Sequence, residues 1–313
     1  METIKLEAHA KINLSLDVLK RREDGYHEVR MVMQSLALCD DVYMEMLPGQ
    51  DKIILEPYKE HMAAANQTGM TAHSLSEVPF DERNLMYKAA KLMRETFGLK
   101  DGVRLHLDKR IPTAAGLAGG SSDAAAVLRG MNELFGLHAD EETLAALGVK
   151  IGADVPYCLM GGTALSEGIG EVLTELPAAP PCRVLLAKPG CGVSTKAVYE
   201  ALHVNERPEE AHPDIDAVIS ALQDKNIRRL SARMRNILEL STIPLAPEVP
   251  KLKEAMLELG AMGTLMSGSG PTVFGLFTDN ELLGKAADAL RTGVYRELCD
   301  EVIETSFYRI TAL

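Results

Sequence analysis

The 313-residue chain is poor in the features that mark nucleic-acid-binding, membrane-spanning and secreted proteins. It carries 33 Lys and Arg against 45 Asp and Glu, a formal charge of −12, and its longest basic run is the triplet Lys20, Arg21, Arg22. An anionic surface repels nucleic-acid phosphates and anionic lipid headgroups. No apolar stretch approaches the roughly 18 residues that cross a bilayer. We therefore expect neither nucleic acid nor a membrane among its partners.

Paired cysteines and paired histidines are also missing. The five cysteines are widely spaced and form no Cys-x-x-Cys, and the eight histidines form no His-x-x-x-His. These absences argue against a disulfide framework, a zinc knuckle and a helical metal site, so we predict no metal ligands among the side chains. The N-terminus alternates in hydropathy instead of forming the apolar core of a signal peptide, and a reducing cytoplasm is the expected location.

Strand and helix patterns are mixed along the chain without strict alternation. Apolar residues at every even position from Ile4 to Val18 predict one or two half-buried strands with a polar odd face. Residues 31–38, 42–47 and 53–55 predict further strands, and their short connections favour antiparallel pairing. Residues 57–79 lack periodicity and predict a surface insertion.

The rest of the chain continues the mixture. Helical spacing over residues 85–97, with Gly98 as a stop, predicts a helix, and residues 103–107 predict a strand. A hairpin is expected between Gly161 and Pro177. Further strands are predicted at 184–187, 273–277 and 302–310, and further helices at 127–135, 141–147, 196–202, 215–222, 250–259 and 281–290. The pattern indicates an α+β chain in two lobes.

A glycine-rich segment after the 103–107 strand is the most informative motif. It runs Pro112, Thr113, Ala114, Ala115, Gly116, Leu117, Ala118, Gly119, Gly120, Ser121, Ser122, and then enters an Ala-rich helix. Glycines let backbone N–H groups turn toward a ligand, Ser121 or Ser122 is the expected N-cap, and a helix N-terminus attracts phosphate. The P-loop lysine and the Rossmann glycine spacing are both absent. A strand-to-helix connection without a ligand is the alternative.

Four further sites admit both a chemical and a structural interpretation. Asp154, in Gly152-Ala-Asp154-Val-Pro156, has the restricted backbone that suits a general base, but taken alone an Asp that caps or bends a turn is the better explanation. Lys11 and Asn13 lie on the polar strand face, where solvated residues are common. Tyr26 and His27 follow a Gly turn and suit a planar base or a structural turn. Gly268 and Ser269 belong to a third glycine cluster, which is a second phosphate-facing loop or a tight turn.

The order of these motifs resembles that of the GHMP kinases, which include galactokinase and the homoserine, mevalonate and phosphomevalonate kinases. The resemblance covers nearly the whole chain. Its segments are Ala10-Lys11-Ile12-Asn13-Leu14, Asp24-Gly25-Tyr26-His27, Asn84-Leu85, residues 112–122, residues 152–156, Glu167-Gly168-Ile169-Gly170-Glu171 and residues 267–271. Ala118 stands where many members have Gly, and it requires a negative φ or tolerable strain there.

The resemblance implies a two-domain α+β fold. Residues 1–163 would form the ATP-binding domain, with a lobe like ribosomal protein S5 domain 2. Residues 164–313 would form the substrate-binding domain, with a ferredoxin-like lobe. A monomer or a homodimer fits this family.

The resemblance also implies ATP-dependent phosphorylation of an alcohol, with Mg²⁺ inferred from the ATP. The Asp24–His27 and Ala10–Asn13 motifs point to a branch whose acceptor is a cytidine diphosphate ester. By similarity, Asp154 is the general base and Lys11 its charged neighbour. The amides of residues 112–122 would bind the phosphates, and Asn84, Leu85 and Lys109 would lie around adenine. Substrate contacts are assigned to Asn13, Tyr26, His27, Ser194, Thr195, Tyr199, Gly268 and Ser269.

Two alternatives remain open at this point. One is another member of the family, such as a mevalonate, phosphomevalonate or homoserine kinase or the related diphosphomevalonate decarboxylase. The other is a catalytically silent nucleotide-binding protein. The presence of both Lys11 and Asp154 speaks against the silent protein.

Overall fold

The computed structural model describes residues 3–58 and 78–308, so the predicted insertion at 57–79 lies almost wholly outside the described residues. The chain divides into two compact units whose segments interleave along the sequence. Unit 1 comprises Met1–Ala10, Leu38–Thr113 and Ala118–Met160, and unit 2 comprises Lys11–Ala37, Ala114–Leu117 and Gly161–Leu313. The domain boundary after residue 163 stays a prediction, because these units are defined by packing and not by chain order.

Two long paired strands, β1 (Thr3–Arg21) and β2 (His27–Leu47), run through both units. Two separate strands were predicted over β2, which is wrong, because the strand is continuous. Asp40 and Asp41 interrupt the apolar pattern there, but both are buried and their carboxylates are hydrogen-bonded. Their charges therefore do not end the strand.

In its described residues, unit 1 combines the ends of these strands with two further strands and four helices. Its further strands are β3 (Ile53–Pro57) and β4 (Gly102–Asp108). Its helices are α1 (Leu85–Phe97), α2 (Gly119–Leu134), α3 (Glu141–Val149) and α4 (Val155–Met160). Strand β2 pairs antiparallel with β4, but β3 pairs parallel with β4. The antiparallel expectation fails for β3 because α1 lies in the connection, which is long enough for a crossover.

Helix α1 shows why local sequence predicts this part of the fold. Met86, Ala89, Ala90 and Met93 recur at helical spacing and are all buried in the core of unit 1. Asn84 caps the helix by accepting a hydrogen bond from Met86 N, and Gly98 ends it with φ 64°. The predicted helix and its predicted stop at Gly98 are confirmed.

Unit 2 holds a hairpin and a four-stranded antiparallel sheet. The hairpin is β5 (Thr163–Glu167) and β6 (Val172–Glu175), as predicted, and β5 also pairs with β2. The sheet contains β7 (Arg183–Lys188), β8 (Gly263–Met266), β9 (Val273–Phe277) and β10 (Glu301–Ser306) in the order β10-β7-β9-β8. With helices before β8 and after β9, this is the ferredoxin-like arrangement that was expected.

The described residues of unit 2 contain two helices more than were predicted. They are α5 (Thr195–Ala201), α6 (Ile215–Gln223), α7 (Ile227–Arg233), α8 (Glu239–Thr242), α9 (Glu248–Glu258) and α10 (Asn280–Arg291). Helices α7 and α8 were not predicted, because they are too short to show a clear period. Nowhere in residues 3–58 and 78–308 is a helix long and apolar enough to span a membrane.

Strand β1 is buried on both faces over much of its length, which corrects the half-buried prediction. From Lys11 to Asp17 the polar odd-numbered residues are at most 5% exposed, like their apolar neighbours. Hydrogen bonds make this burial tolerable. Ser15 Oγ donates to Arg235 O at 2.8 Å, and Asp17 Oδ1 lies 2.7 Å from His212 Nδ1. The polar row of β1 is therefore an internal feature of unit 2.

Candidate active site

Helix α2 begins at Gly119, earlier than predicted. Ala118 occupies the N-cap position with φ 57°. The sequence left two options for this residue, a negative φ or tolerable backbone strain, and the positive φ corresponds to the second. The prediction that Ser121 or Ser122 caps the helix is wrong. Ser122 Oγ donates to His9 O at 2.6 Å and to Ala118 O at 3.1 Å. Ser122 lies inside the helix, where its backbone N–H donates to Ala118 O at 2.9 Å, so it follows the N-cap position instead of occupying it.

The start of α2 consequently has the character of an anion site. Its N-cap residue, Ala118, makes no side-chain hydrogen bond to it, and the first amides of an α-helix have no intrahelical acceptor. Gly120 is exposed, and a Cβ placed on it would lie 3.6 Å from Leu85 Cδ1. Leu85 therefore lies beside the helix start, whereas the Asn84 amide is occupied with its cap and with Pro79 O at 2.8 Å. Free amides at a positive helix end suit phosphate.

The turn that carries Asp154 lies beside this helix start within unit 1. Asp154 is half-buried and directly precedes α4, where Cys158 N donates to its carbonyl. A Cβ added to Gly152 would lie 3.9 Å from Ser121 Oγ. The structure thus brings the predicted base and the predicted phosphate-binding helix into one neighbourhood.

Lys11 and Asn13 form the corresponding polar feature of unit 2. Lys11 Nζ donates to Asn13 Oδ1 at 2.9 Å, and both side chains are buried. The backbone N–H of Lys11 donates to Leu117 O at 3.1 Å, which joins β1 to the glycine-rich segment. A Cβ on Gly268 would lie 3.5 Å from Lys11 Nζ. Lys11 therefore lies between two glycine-containing loops.

The loop at residues 267–271 is hydrogen-bonded to several other segments of unit 2. Ser267 Oγ donates to Gly116 O at 2.9 Å, and the hydroxyls of Ser269 and Thr195 are hydrogen-bonded at 2.9 Å. Asn236 Nδ2 donates to Met266 O and Gly268 O at 2.9 and 2.8 Å. Sequence reasoning missed Asn236, because a single Asn between two helices carries no pattern of its own.

Of the three aromatic residues predicted to bind a cytosine ring, His27 and Tyr199 lie close together. The rings of His27 and Tyr199 are 5.1 Å apart between centroids, with 46° between their planes. Tyr26 is 59% exposed. Burial and the nearby Arg21 charge lower the pKa of His27 below its usual value, so its ring is neutral at pH 7. Ser194 caps α5 by accepting a hydrogen bond from Ala197 N at 3.4 Å.

Lys109 is not a surface residue. Its Nζ contacts Asp40 and Asp123, both buried. The assignment of Lys109 to adenine stays a prediction of the resemblance, and its ammonium is committed to these two carboxylates. Asp40 and Asp123 were not singled out from the sequence, although an acidic residue inside an apolar strand and another inside an Ala-rich helix are both unusual.

One group of side chains in the described part of the chain has metal-ligand proximity, namely Glu7, Cys39 and Asp41. Burial raises the pKa of the Cys39 thiol to about 11, which disfavours the thiolate that binds metals. Asp41 is already paired with Lys5 at 3.0 Å and with Arg110 at 2.6 Å. These residues are a poor metal site.

Family models match both parts of the chain. The model of the GHMP kinases N terminal domain matches residues 84–162, and that of the GHMP kinases C terminal matches residues 218–296. A 4-diphosphocytidyl-2-C-methyl-D-erythritol kinase of Lachnospira eligens is 49% identical over 93% of this chain and 94% of its own length. The kinase of that name from Caldicellulosiruptor saccharolyticus is 45% identical over 97% and 98%.

Solved structures agree with the sequence relatives. A crystal structure of 4-(cytidine 5'-diphospho)-2C-methyl-D-erythritol kinase matches with a TM-score of 0.76 and 34% identity, covering 98% of this chain and all of that one. A homoserine kinase from Cytophaga hutchinsonii, with a TM-score of 0.73 over 98% of this chain and 94% of its own, is 21% identical and supports the fold alone. The chain belongs to the GHMP kinase family, in the branch of the 4-diphosphocytidyl-2-C-methyl-D-erythritol kinases.

Proposed function

We propose that this kinase transfers the γ-phosphoryl group of ATP to the 2-hydroxyl of 4-diphosphocytidyl-2-C-methyl-D-erythritol, an isoprenoid precursor of the non-mevalonate route. The observation that carries the proposal is the near full-length similarity to relatives of that name. The other interpretation of the motifs, a silent nucleotide-binding protein, would not require both Lys11 and Asp154. We propose a cytoplasmic enzyme that acts as a monomer or a homodimer.

The phosphates of ATP bind the uncapped start of α2 in this proposal. The amides of Gly119, Gly120 and Ser121 offset the phosphate charge, supported by the positive end of the helix. Positioning and charge stabilisation contribute most of the catalysis in phosphoryl transfer. Mg²⁺ prefers oxygen ligands and takes few from the protein. As part of Mg-ATP, the ion would neutralise some of the phosphate charge at the start of α2.

Asp154 acts as the general base and accepts the proton of the acceptor hydroxyl. Its place directly before α4 restricts its backbone, which favours a fixed carboxylate position. Lys11 supplies positive charge to the transferring phosphoryl group, and Asn13 orients its ammonium through the 2.9 Å hydrogen bond. Asn13 also lies near the reacting hydroxyl in this assignment.

The cytidine end of the acceptor binds in unit 2. The cytosine ring stacks on Tyr26 and Tyr199, and the neutral His27 ring hydrogen-bonds its polar edge. Thr195, Ser194 and the loop with Gly268 and Ser269 contact the diphosphate. The hydrogen bond between Thr195 and Ser269 supports this grouping.

Replacing Asp154 with Asn tests the assigned base. We expect kcat to fall by about 10²- to 10⁴-fold, the usual contribution of general base catalysis, with little change in the KM for ATP. Asp140→Asn is the matched control, because Asp140 caps α3 in the same unit and Asn caps equally well. Phosphoryl transfer by Asp154→Asn within a few-fold of the unmutated enzyme would show that Asp154 is not the base.

An acceptor panel separates this function from those of other GHMP kinases. Mevalonate, homoserine, galactose and the cytidyl substrate are compared in an ATP-consumption assay with the unmutated enzyme. We expect turnover on the cytidyl substrate alone. Preferred turnover on another acceptor would assign the chain to a different reaction, and ATP binding without turnover on any of them would indicate a silent protein.

A further inference from the structure

A cluster of three charged residues lies in the interior of unit 1 and is not used by the mechanism above. Its members are Asp40 in β2, Lys109 just after β4, and Asp123 in the first turns of α2. Their side chains are 0%, 4% and 4% exposed. Lys109 Nζ donates to Asp40 Oδ2 and, at 3.1 Å, to Asp123 Oδ2. Burying ionic groups is costly, so such a cluster calls for a role beyond stability.

The cluster joins the two ends of the glycine-rich segment. Asp40 Oδ1 accepts hydrogen bonds from the backbone N–H groups of Arg110 and Ile111, the latter at 2.8 Å, directly ahead of Pro112. Asp123 belongs to the helix at the other end. Lys109 contacts both acidic side chains. One ammonium group therefore connects the residues before the glycine-rich segment to the helix after it.

Gly119 is in direct contact with this ammonium. A Cβ placed on Gly119 would lie 2.7 Å from Lys109 Nζ and 3.0 Å from Ile111 Cγ2. The ammonium therefore packs against the Cα of the first residue of α2. Any shift of Lys109 would be transmitted to the amides at the start of the helix.

Burial affects the ionisable groups of the cluster in opposite directions. Burial and the neighbouring Asp40 carboxylate raise the pKa of Asp123 well above its usual value, although Lys109 opposes this shift. Burial opposes the charge of Lys109, but Asp123 and Asp40 outweigh it and raise its pKa. Among the described residues, Asp123 Oδ1 has no hydrogen-bond partner, which a neutral carboxyl tolerates better than a carboxylate. One ammonium group thus lies between two buried acidic side chains.

We infer that Asp40, Lys109 and Asp123 are positioning residues for the nucleotide phosphates. They hold the start of α2 and the residues that lead to Pro112 in a fixed geometry, so that the amides of Gly119 to Ser121 need no rearrangement when ATP binds. Such preorganisation is where much of the affinity and rate of phosphoryl transfer originates. The inference rests on the proposed function in one respect, namely that ATP phosphates bind at this helix start.

Lys109→Met tests the inference, with ATP affinity measured by titration calorimetry in the absence of acceptor. We expect the Kd and the KM for ATP to rise by between about tenfold and about 10²-fold, since a displacement of about 1 Å has effects of this size. The KM for the cytidyl substrate should stay within about twofold, and the melting temperature should fall because two carboxyl groups lose their partner. An unchanged Kd for ATP would overturn the inference.

The double variant Lys109→Met/Asp40→Asn separates positioning from stability. It leaves one acidic side chain in the cluster instead of two, and the side-chain carbonyl introduced at position 40 can still accept hydrogen bonds from Arg110 and Ile111. We expect the melting temperature to recover while the Kd for ATP stays at least about fivefold above that of the unmutated protein, because the tie to Gly119 and Asp123 is still absent. Recovery of both together would mean that the cluster serves folding alone. This variant also decides the matter if Lys109→Met does not fold.

Lys5→Met is the matched control. Lys5 also pairs with an aspartate of unit 1, Asp41, at 3.0 Å, but its side chain is 48% exposed. Its Kd for ATP should equal that of the unmutated protein, and an equal rise in both lysine variants would overturn the inference. If the unmutated protein binds ATP but does not phosphorylate the cytidyl acceptor, the proposed function fails and the Kd comparison still stands. If it does phosphorylate the acceptor and Lys109→Met binds ATP normally, only the inference fails.

Discussion

Tyr26 and His27 are adjacent in sequence but have different surroundings. Tyr26 is 59% exposed, whereas His27 is half-buried with its ring 5.1 Å from that of Tyr199. The backbone N–H of Tyr26 donates to Asp24 Oδ1 at 3.0 Å, which sets the turn before β2. An exposed aromatic ring such as that of Tyr26 is suited to stacking on a planar base that arrives from solvent.

Tyr26→Ala should therefore weaken binding of the cytidyl substrate selectively. Stacking of a base on an aromatic ring is worth roughly 1–3 kcal/mol, so we expect the KM for this substrate to rise by roughly 5- to 150-fold. The KM for ATP should not change. Tyr295→Ala, at a tyrosine of unit 2 outside the proposed site, is the control for steady-state kinetics. Equal effects of Tyr26→Ala on both KM values would contradict the stacking role.

The pH dependence of substrate binding should report on His27. Its pKa in the folded protein lies below the usual 6.5, because burial and Arg21 disfavour the charged ring. The neutral ring therefore persists throughout the range above pH 6.5, and only at lower pH does it gain a proton and lose its acceptor nitrogen. We expect the KM for the cytidyl substrate to be constant from pH 7 to about pH 8 and to rise as the pH falls below 6.5.

The lowered pKa of His27 also makes the stability of the folded protein decrease as the pH falls. The unfolded chain binds a proton at His27 more readily than the folded chain does, so the contribution of His27 is present above pH 6.5 and is lost as the pH falls. His27→Asn should abolish the rise in KM at low pH. If the rise persists in His27→Asn, a different group is responsible for it.

At the scale of elements, the two glycine-containing loops of unit 2 are in backbone contact. Gly116 has φ 74°, and a Cβ placed on it would lie 2.1 Å from Ser267 O. No side chain can be accommodated at that distance, and the hydrogen bond from Ser267 Oγ to Gly116 O depends on the same approach. Gly116 thus sets the spacing of the loops beside Lys11.

Gly116→Ala should lower the stability of the protein by more than the strain of a left-handed backbone accounts for. Strain at a positive φ costs roughly 1–2 kcal/mol, and the overlap with Ser267 adds to it. Gly49→Ala isolates the strain, because Gly49 has φ 70° with nothing within 4 Å of a Cβ. We expect thermal or urea unfolding to show a larger loss of stability for Gly116→Ala, together with a higher KM for ATP. Equal losses for the two variants would mean that the loops can separate without cost.

Elements differ in how far local sequence determined them. Helix α1 was predicted with its C-terminal stop, because its buried residues recur at helical spacing and Gly98 adopts the left-handed conformation that ends a helix. The start of α2 was misassigned, because the N-cap position is occupied by Ala118 with φ 57°, a conformation that residues other than Gly seldom adopt. Local rules for N-caps favour a Ser and do not anticipate an Ala in this conformation.

For the molecule as a whole, the charge of −12 constrains how anionic substrates are captured. Both ATP and a cytidine diphosphate ester are polyanions, so the overall field does not attract them. We therefore expect binding to depend on short-range groups, and those we propose are the amides at the start of α2 and the Lys11 ammonium. Short-range contacts inside a site are screened less by salt than long-range attraction is.

We therefore expect kcat/KM for both substrates to change by less than about threefold between about 0.05 and about 0.5 M ionic strength. Steady-state kinetics in KCl, at constant free Mg²⁺, measure this. A steep fall in kcat/KM with added salt would reveal a basic surface that steers the substrates, contrary to the short-range capture argued above.

The roles of Lys11 and Asp154 came from the family resemblance and stay predictions. Local patterns in the chain were sufficient for the α+β class, the order of most elements and the glycine-rich segment. These follow from periodicity, turn chemistry and motif order, which depend on neighbours in sequence. The complete burial of the β1 polar row, the Asn236 contacts with the second glycine loop, and the Asp40–Lys109–Asp123 cluster were beyond sequence reasoning. Each consists of hydrogen bonds or ion pairs between distant segments, and the free energy of such contacts exists only once the chain has packed.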